Sequence, residues 1–429
     1  MTPSPFIAIL VPPNPLVPFM PEFFNVLPPQ QALLLLLNRL APLPSMELVP
    51  TSDAYLRITA QSIHAPEHLP SFPRSAMDGY AVRSQDTFGA SEALPAYLEL
   101  VGDVPAGRDP RIALAPGQTA TAYTGGPLAI GADAVVMVEL TQRAGDATIE
   151  VLRPAAPGEN VVQVGEDTRQ GNLVLPQGHL IRPQDIGGLL GLGVTQLPVT
   201  PRLRVAIVST GDELVPPQLV PGPAQVRDIN TYTLSAQVSA CGAVPIPSGL
   251  VPDDFDVQLT AAKEALSLAD VLLFSAGSSV SSHDMTVDII AALGQPGVLF
   301  HGISFKPGKP TIGAIVDGKP AFGLPGNPVS AMVVFDLLVR PVLYALAGCS
   351  EPPPRATATA RLGRDIPSQS GREDYVPVRL ISHSGALTAE PVFGKSNLIY
   401  TLVRADGMLR VPLDAGGIYA GQQVTVTLF

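Results

Sequence analysis

A chain of 429 residues with 46% hydrophobic and 15% charged content can build several cores, and its composition is not that of a disordered or fibrous protein. A net charge of −11 excludes the broad basic surface that nucleic-acid backbones require, but a small anionic ligand needs only a few local cations. Two cysteines, Cys241 and Cys349, cannot make a disulfide framework or a multi-cysteine metal site; they suit a reduced, cytoplasmic setting, with Cys241 as a buried small hydrophobe.

The first 19 residues are apolar, broken by proline and without a basic segment. They read as an extension, with Met20 as an alternative start, and as neither a signal peptide nor a membrane span. Helical patterning begins at residues 30–40, and 51–66 follow as an extended segment. From Glu67 to residue 164 the short runs AYLEL, TATAY, DAVVMVEL and ATIEVL alternate with Gly, Pro and Asp turns, which predicts an all-β module. DIGGLLGLG then reads as a helix. From residue 201 the strand VAIVST is followed by a helix at 230–241, the stretch VPIPSGLV, the helix DVQLTAAKEALSLA, the strand VLLFS and a helix at 286–293. The hairpin-like TIGAIVDGKPAFGL and the long helix PVSAMVVFDLLVRPVLYALAG close this region. Alternating strands and helices predict an open α/β sheet over 201–350. EPPP at 351–354 reads as a linker, and 355–429 return to strands, with TLVRADGMLRVPL and QQVTVTLF the clearest.

Three polar loops each follow an apolar strand: Ser209 to Glu213, Ser275 to Asp284, and Leu324 to Pro328. In an open parallel sheet such loops collect along one edge, where ligands bind, so they predict one crevice. Asn327 fits an N-cap and Pro328 the first helical position; the free N–H groups there would suit a phosphate, or simply end a helix. The hydroxyls of Ser275, Ser278, Ser279, Ser281 and Ser282 suit phosphate oxygens. Asp284 suits Mg²⁺ or a water, or equally a plain helix cap. KPGKP sets Lys306 and Lys309 around a tight turn, a point-charge clamp beside a phosphate and solvated charge elsewhere. The sequence has only five lysines, and three of them (Lys306, Lys309 and Lys395) fall in glycine-rich motifs, a placement that favours anion contact. Asp212 with Glu213, and Asp78 before Gly79, each have an ordinary turn as the plain alternative. His283 and His301 flank the motifs as surface or cap residues.

Together these segments resemble the molybdopterin molybdenumtransferase family, which includes the E domain of gephyrin. The resemblance rests on SAMDGYAVR, TGGPLAIGADAVVMVE, GEDTRQGNLVLPQG, STGDEL, KPGKP, GLPGNPVSA, GREDY and LVRADG, in that order from about residue 25 to 429. It implies a multidomain α/β plus β fold. An elongated N-terminal domain (20–66 and 165–200) would carry an inserted β module (67–164), followed by a molybdopterin-binding α/β domain with an open three-layer sheet (201–350) and a C-terminal β-barrel (355–429). It also implies a homodimer with no membrane or nucleic-acid partner, and Mg²⁺-dependent transfer of molybdate onto the dithiolene of adenylylated molybdopterin, releasing AMP.

Carried over by position, Asp78, Thr124 and Asp167 match functional positions contributed across the dimer. Glu213, Asp253 and Asp284 match the acidic residues that handle metal and nucleotide, with Glu213 and Asp284 as metal ligands; Asp78 joins these three as the catalytic set. Lys306, with Lys309 beside it, matches a ligand-contacting lysine. Pro325, Gly326, Asn327 and Pro328 form the matching LPGNP loop, Ser275, Gly277 and Ser279 the serine-rich one, and Arg372 and Ser396 the barrel positions facing the cleft. Such a site needs charge neutralisation more than covalent catalysis to break a phosphoanhydride. The main departure is SAGSSVSSHD where the family reads SGGVSVGxxD: Ala276 and Ser281 replace glycines, Ser278 replaces valine, and Val287 stands where a lysine often follows. That change bears on loop shape and leaves tungstate as an alternative oxyanion. The rival readings are a molybdopterin adenylyltransferase and a non-catalytic molybdopterin-binding scaffold.

Overall fold

The computed structural model describes residues 26–43, 45–276, 280–383 and 385–429; the side chains of 280–284 and 383 are outside that description, as is the extension expected at 1–19. The chain forms two compact units, one of Met1–Ala41, Leu203–Leu343 and Pro354–Phe429, the other of Pro42–Arg202 and Tyr344–Pro353. The first helix, α1 (Pro29–Leu37), starts with proline at N1 and buries Ala32 and Leu36. It belongs to the first unit, where Leu27 just before it bridges Ile303.

In the second unit, the stretch expected to be extended at 51–66 instead begins with a 3₁₀ turn at Thr51–Asp53, and its strand is only Ile63–His64. The cause is local. Thr51 is tied at both its amide, to Thr195 O, and its hydroxyl, to Val194 O, which curls the chain after Pro50. The β module is a six-stranded sheet of β1 (Gly79–Val82), β2 (Ala96–Asp103), β3 (Gln118–Ala122), β4 (Ala134–Met137), β5 (Thr141–Arg143) and β6 (Thr148–Val151), in the order β4-β1-β3-β2-β6-β5. Successive side chains alternate between its faces: Ala81 and Val135 enter one core, Val82, Ala134 and Val136 the other. Gly79 is required where β1 meets β4, because a Cβ there would lie 2.0 Å from Val136 O. Helix α2 (Pro183–Gly191) covers DIGGLLG and is locked at its start by Asp185, which accepts the Arg182 amide at 2.8 Å and pairs with His179 at 2.7 Å.

In the first unit, β7 (Arg204–Thr210), α3 (Asn230–Ala240), β8 (Val244–Val251), α4 (Phe255–Leu268), β9 (Val271–Ala276), α5 (Val280–Leu293), β10 (Pro296–His301), β11 (Ile312–Val316) and β12 (Lys319–Pro325) follow in turn. The sheet order is β8-β7-β9-β12-β11-β10. The first four strands are mutually parallel, and β11 runs antiparallel to both its neighbours, β12 and β10. The hairpin between β11 and β12 turns on Asp317 and Gly318, both at positive φ, the conformation that a tight two-residue turn demands. The fully buried runs in β7 and β9 explain their uninterrupted apolar sequence.

The long apolar helix runs from Pro328 to Leu346 as α6 (Pro328–Val334), a π turn at Phe335–Val339, and α7 (Arg340–Leu346). It is long and apolar enough to cross a membrane by those criteria alone, but Val333, Val334, Phe335, Leu338, Val339 and Val342 are buried in protein. The C-terminal segment is a closed five-stranded barrel of β13 (Thr357–Leu362), β14 (Glu373–His383), β15 (Ala386–Pro391), β16 (Gly407–Val411) and β17 (Gln423–Leu428), joined β14-β15-β13-β17-β16-β14. Here the strand expected across TLVRADGMLRVPL divides. Tyr400–Val403 is one helical turn, α8, because the Thr401 hydroxyl and amide both return to Leu398 O; the strand starts only at Gly407.

Cys241 closes α3 and is half-buried, not the buried hydrophobe its sequence suggests, because α3 ends there and turns at Gly242. Cys349 is buried, and that burial pushes its thiol up.

Candidate active site

The strand order reverses at β7, whose neighbours are β8 on one side and β9 on the other. Loops leaving β7, β9 and β12 therefore share one sheet edge, as expected for a ligand crevice. After β7, Gly211 has φ +146, and a Cβ on it would sit 2.6 Å from the Glu213 carboxylate, so Glu213 folds back over the glycine. Asp212 accepts the Asp253 amide at 3.1 Å, and Asp253 in turn accepts Gln258 Nε2 at 3.2 Å. STGDEL and VPDD are thus bonded to each other at adjacent strand ends. None of these three carboxylates forms an ion pair among the described residues, where the salt bridges fall elsewhere.

An all-oxygen set of this kind fits a hard divalent cation. No group of three or more His, Cys, Asp or Glu among the described residues could hold a metal alone. Any divalent cation bound here would accordingly take only one or two of these carboxylates and complete its shell with water and ligand oxygens.

Ser275, at the end of β9, is buried, and its hydroxyl accepts Asn230 Nδ2 at 2.9 Å. The same amide nitrogen donates to Gly326 O at 2.8 Å, joining the serine-rich and LPGNP loops. Ser209 and Thr231 share a hydroxyl–hydroxyl bond at 2.8 Å beside them. Sequence reasoning missed Asn230; the only signal was an asparagine at a helix start, which reads as a cap.

KPGKP meets the barrel directly. Phe305–Lys306 pairs in parallel with Glu373–Asp374, so Lys306 lies in register with Asp374. Gly308 has φ +125, and a Cβ there would strike the Phe305 ring at 2.6 Å and Val334 at 2.8 Å, which explains the glycine between the two lysines. Asn327 occupies the N-cap position but makes no side-chain cap bond, and Pro328 is the first helical residue. Of the N–H groups expected to be free for phosphate, that of Val329 is already donated to Ser396 O at 3.1 Å, because the GKSN loop packs on the helix start.

Two cavities adjoin this junction. One of about 630 Å³ is lined by Lys306, Asn327, Asp374, Lys395 and Ser396 among others; a second, of about 200 Å³, is lined by Lys309, Pro325, Gly326, Asn327, Ser330 and Ser396. Arg372 is held by the buried Asp374 at 2.9 Å, and Ser368 also donates to that carboxylate. Glu373 is tied to Arg410 and to the Tyr375 hydroxyl; burial first, then Glu373, pushes the phenol up.

In the second unit Asp78 and Thr124 come together. The Asp78 carboxylate accepts the Thr124 amide at 2.8 Å and its hydroxyl at 2.9 Å, and the amide bond foremost holds Asp78 below the usual carboxylate range. Asp78 and Thr124 are exposed, as is Asp167, whose own amide donates to Leu69 O. Gly277, Ser278 and Ser279 lie outside the described residues, as do the side chains of Ser281, Ser282, His283 and Asp284. His301 is half-buried on β10.

Models of three known regions match in sequence along the chain: the MoeA N-terminal region (domain I and II) over 27–193, a probable molybdopterin binding domain over 206–345, and the MoeA C-terminal region (domain IV) over 359–429. The chain is 34% identical over 383 residues to molybdopterin molybdenumtransferase 2 of Mycobacterium tuberculosis, covering 88% of this chain and 94% of that one. It is 33% identical over 386 residues to the molybdopterin molybdenumtransferase of Bacillus subtilis, covering 89% of each. Its fold is similar to the crystal structure of the molybdopterin biosynthesis moeA protein from Pyrococcus horikoshii OT3, with a TM-score of 0.80, 32% identity, and coverage of 94% of this chain and 100% of that one. The match extends through both flanking regions as well as the central α/β domain, and the chain belongs to the molybdopterin molybdenumtransferase family, transferases of molybdenum cofactor biosynthesis.

Proposed function

We propose that this transferase moves molybdenum from molybdate onto the dithiolene of adenylylated molybdopterin, releasing AMP, in the crevice where the α/β sheet edge meets the barrel. The observation that carries this reading is the convergence of lysines. In a chain of net charge −11 with five lysines, Lys306, Lys309 and Lys395 line the two adjoining cavities. The larger cavity lies within the range that takes a drug-sized organic ligand, and the smaller lies below it, on the scale of a compact oxyanion.

In this reading Lys306 and Lys395 neutralise the phosphates of the pterin nucleotide, while Lys309 with Ser330 and Ser396 holds the oxyanion. Arg372, fixed by Asp374, adds a cation whose planar fork suits phosphate. Glu213, with Asp284 as the resemblance implies, would hold Mg²⁺, and Asp253 would orient the nucleotide beside it. When bound, that ion supplies charge neutralisation at the phosphoanhydride. Ser275, with Gly277 and Ser279 as the resemblance implies, would contact the phosphates, and Pro325 to Pro328 would shape the loop between the cavities. Asp78, Thr124 and Asp167 would serve a neighbouring copy's site in a homodimer of the cytoplasm. Their exposure and the Asp78–Thr124 pairing support that role.

The test is equilibrium binding of adenylylated molybdopterin to wild type and to a Lys306→Ala/Lys309→Ala/Lys395→Ala variant across a salt series. Exposed charges act through screened attraction, so the reading requires the variant to lose both affinity and salt dependence. Equal affinities at every salt concentration would refute it.

A further inference from the structure

Asn230 begins α3, but it does not cap that helix with its side chain. The buried Asp228 accepts the Thr231 amide at 3.2 Å instead, which leaves the Asn230 amide group available for other bonds. Both of its described side-chain bonds go out from Nδ2, to Ser275 Oγ at the end of β9 and to the Gly326 carbonyl in LPGNP. The amide orientation is fixed by the second bond, since a flipped group would set Oδ1 against a carbonyl oxygen, acceptor against acceptor.

In that orientation Asn230 Oδ1 is buried and has no hydrogen-bond partner among the described residues, in a residue only 8% exposed. A buried acceptor without a donor is costly, and native folds seldom keep one without a role. A residue needed only to fill space at this point would be apolar or fully paired.

We infer that Asn230 is a substrate-positioning residue. Its amide N–H₂ sets the spacing between the Ser275 strand end and the LPGNP loop, and its Oδ1 accepts a hydrogen bond from the bound substrate. The matching donor is a ring or exocyclic N–H of an amino-substituted heteroaromatic ring, a group that both halves of a pterin nucleotide carry. This inference rests on the transferase reading.

The test compares full-length wild type with Asn230→Ala and Asn230→Asp, measuring the Kd for adenylylated molybdopterin, AMP release and the thermal midpoint. Removing donor and acceptor together in Asn230→Ala should raise Kd about ten- to a hundredfold. Asn230→Asp keeps the shape and an acceptor but opposes the Gly326 carbonyl, so its Kd should fall between those of wild type and the alanine variant. If the clamp acts through Ser275, Asn230→Ala and Ser275→Ala combined should raise Kd by less than the product of their separate effects. Wild-type Kd in both Asn230 variants, even with a lowered thermal midpoint, overturns the inference. If the alanine variant does not fold, the isosteric aspartate variant decides alone. Failure of wild type to release AMP while Kd still responds to Asn230 would count against the transferase reading and not against this one.

Discussion

The amide of Val329 donates to the carbonyl of Ser396 at 3.1 Å. Because Pro328 has no N–H, this bond uses the first donor of the long helix and fastens the GKSN loop of the barrel to the LPGNP loop of the α/β domain. Ser396 therefore has separable parts, a backbone carbonyl that docks the loop and a side chain at both cavities.

Ser396→Ala keeps the carbonyl and removes only the hydroxyl. The expected outcome is an unchanged thermal midpoint with oxyanion or pterin affinity lowered about three- to tenfold, the effect of one neutral hydrogen bond. Titration calorimetry beside a melting curve checks both halves.

Gly308→Ala should behave differently. The new Cβ meets Phe305 and Val334 under 3 Å, at a backbone φ of +125 that side chains rarely adopt. Overpacking and strain together should destabilise the fold by about 2–4 kcal/mol. Because the turn carries Lys306 and Lys309, ligand affinity should fall with it. Urea unfolding with and without ligand measures the pair; a variant of wild-type stability would contradict the geometry.

Lysines here divide by role. Lys319 Nζ donates to the carbonyls of Leu266 and Ala269 at 2.8 Å each, closing the end of α4. Lys319→Met should cost about 1–2 kcal/mol of stability and leave pterin affinity unchanged. A loss of affinity at wild-type stability would move Lys319 into the site.

Asp185 gives a pH signature in the second unit. Burial pushes its carboxyl up, but the bonds from Arg182 and His179 outweigh that and hold it at about 2, below its ordinary 3.8. A carboxyl whose folded value is depressed contributes stability that is present above the unfolded value and lost as pH falls through the folded one. Wild-type stability should therefore drop as pH falls from 3.8 toward about 2, with Asp185 contributing part of the slope. Asp185→Asn should be less stable near neutrality and show a shallower slope in that window, read from denaturant midpoints at stepped pH.

Much of this architecture could be read from the residues because the signals were local. Uninterrupted apolar runs such as VAIVST and VLLFS marked the central strands, and the Asp317-Gly318 turn marked the hairpin. Strand-like pattern failed where a side-chain hydroxyl decided the backbone: Thr51, bonded to Val194 far along the chain, turns a segment that reads as extended, and Thr401, bonded to Leu398 three residues back, makes a helical turn inside a strand-like stretch. In the site, Gly, Pro and Lys spacing pointed to KPGKP and LPGNP. Asn230 and Asp374 stayed hidden, because their roles arise from partners 45 and 96 residues away for Asn230, and from the pairing of Lys306 with Asp374 across domains. Asp78 before a glycine reads as turn chemistry, and its bonds to Thr124 lie across the sheet, where spacing gives no hint.

The most direct measurement is AMP release from adenylylated molybdopterin by the purified full-length chain with Mg²⁺, comparing molybdate, tungstate and no oxyanion. The account predicts release that depends on oxyanion and divalent cation, with the recovered pterin carrying metal and the preferred oxyanion naming it. Tight binding of the nucleotide with no AMP released under any of these conditions would contradict it.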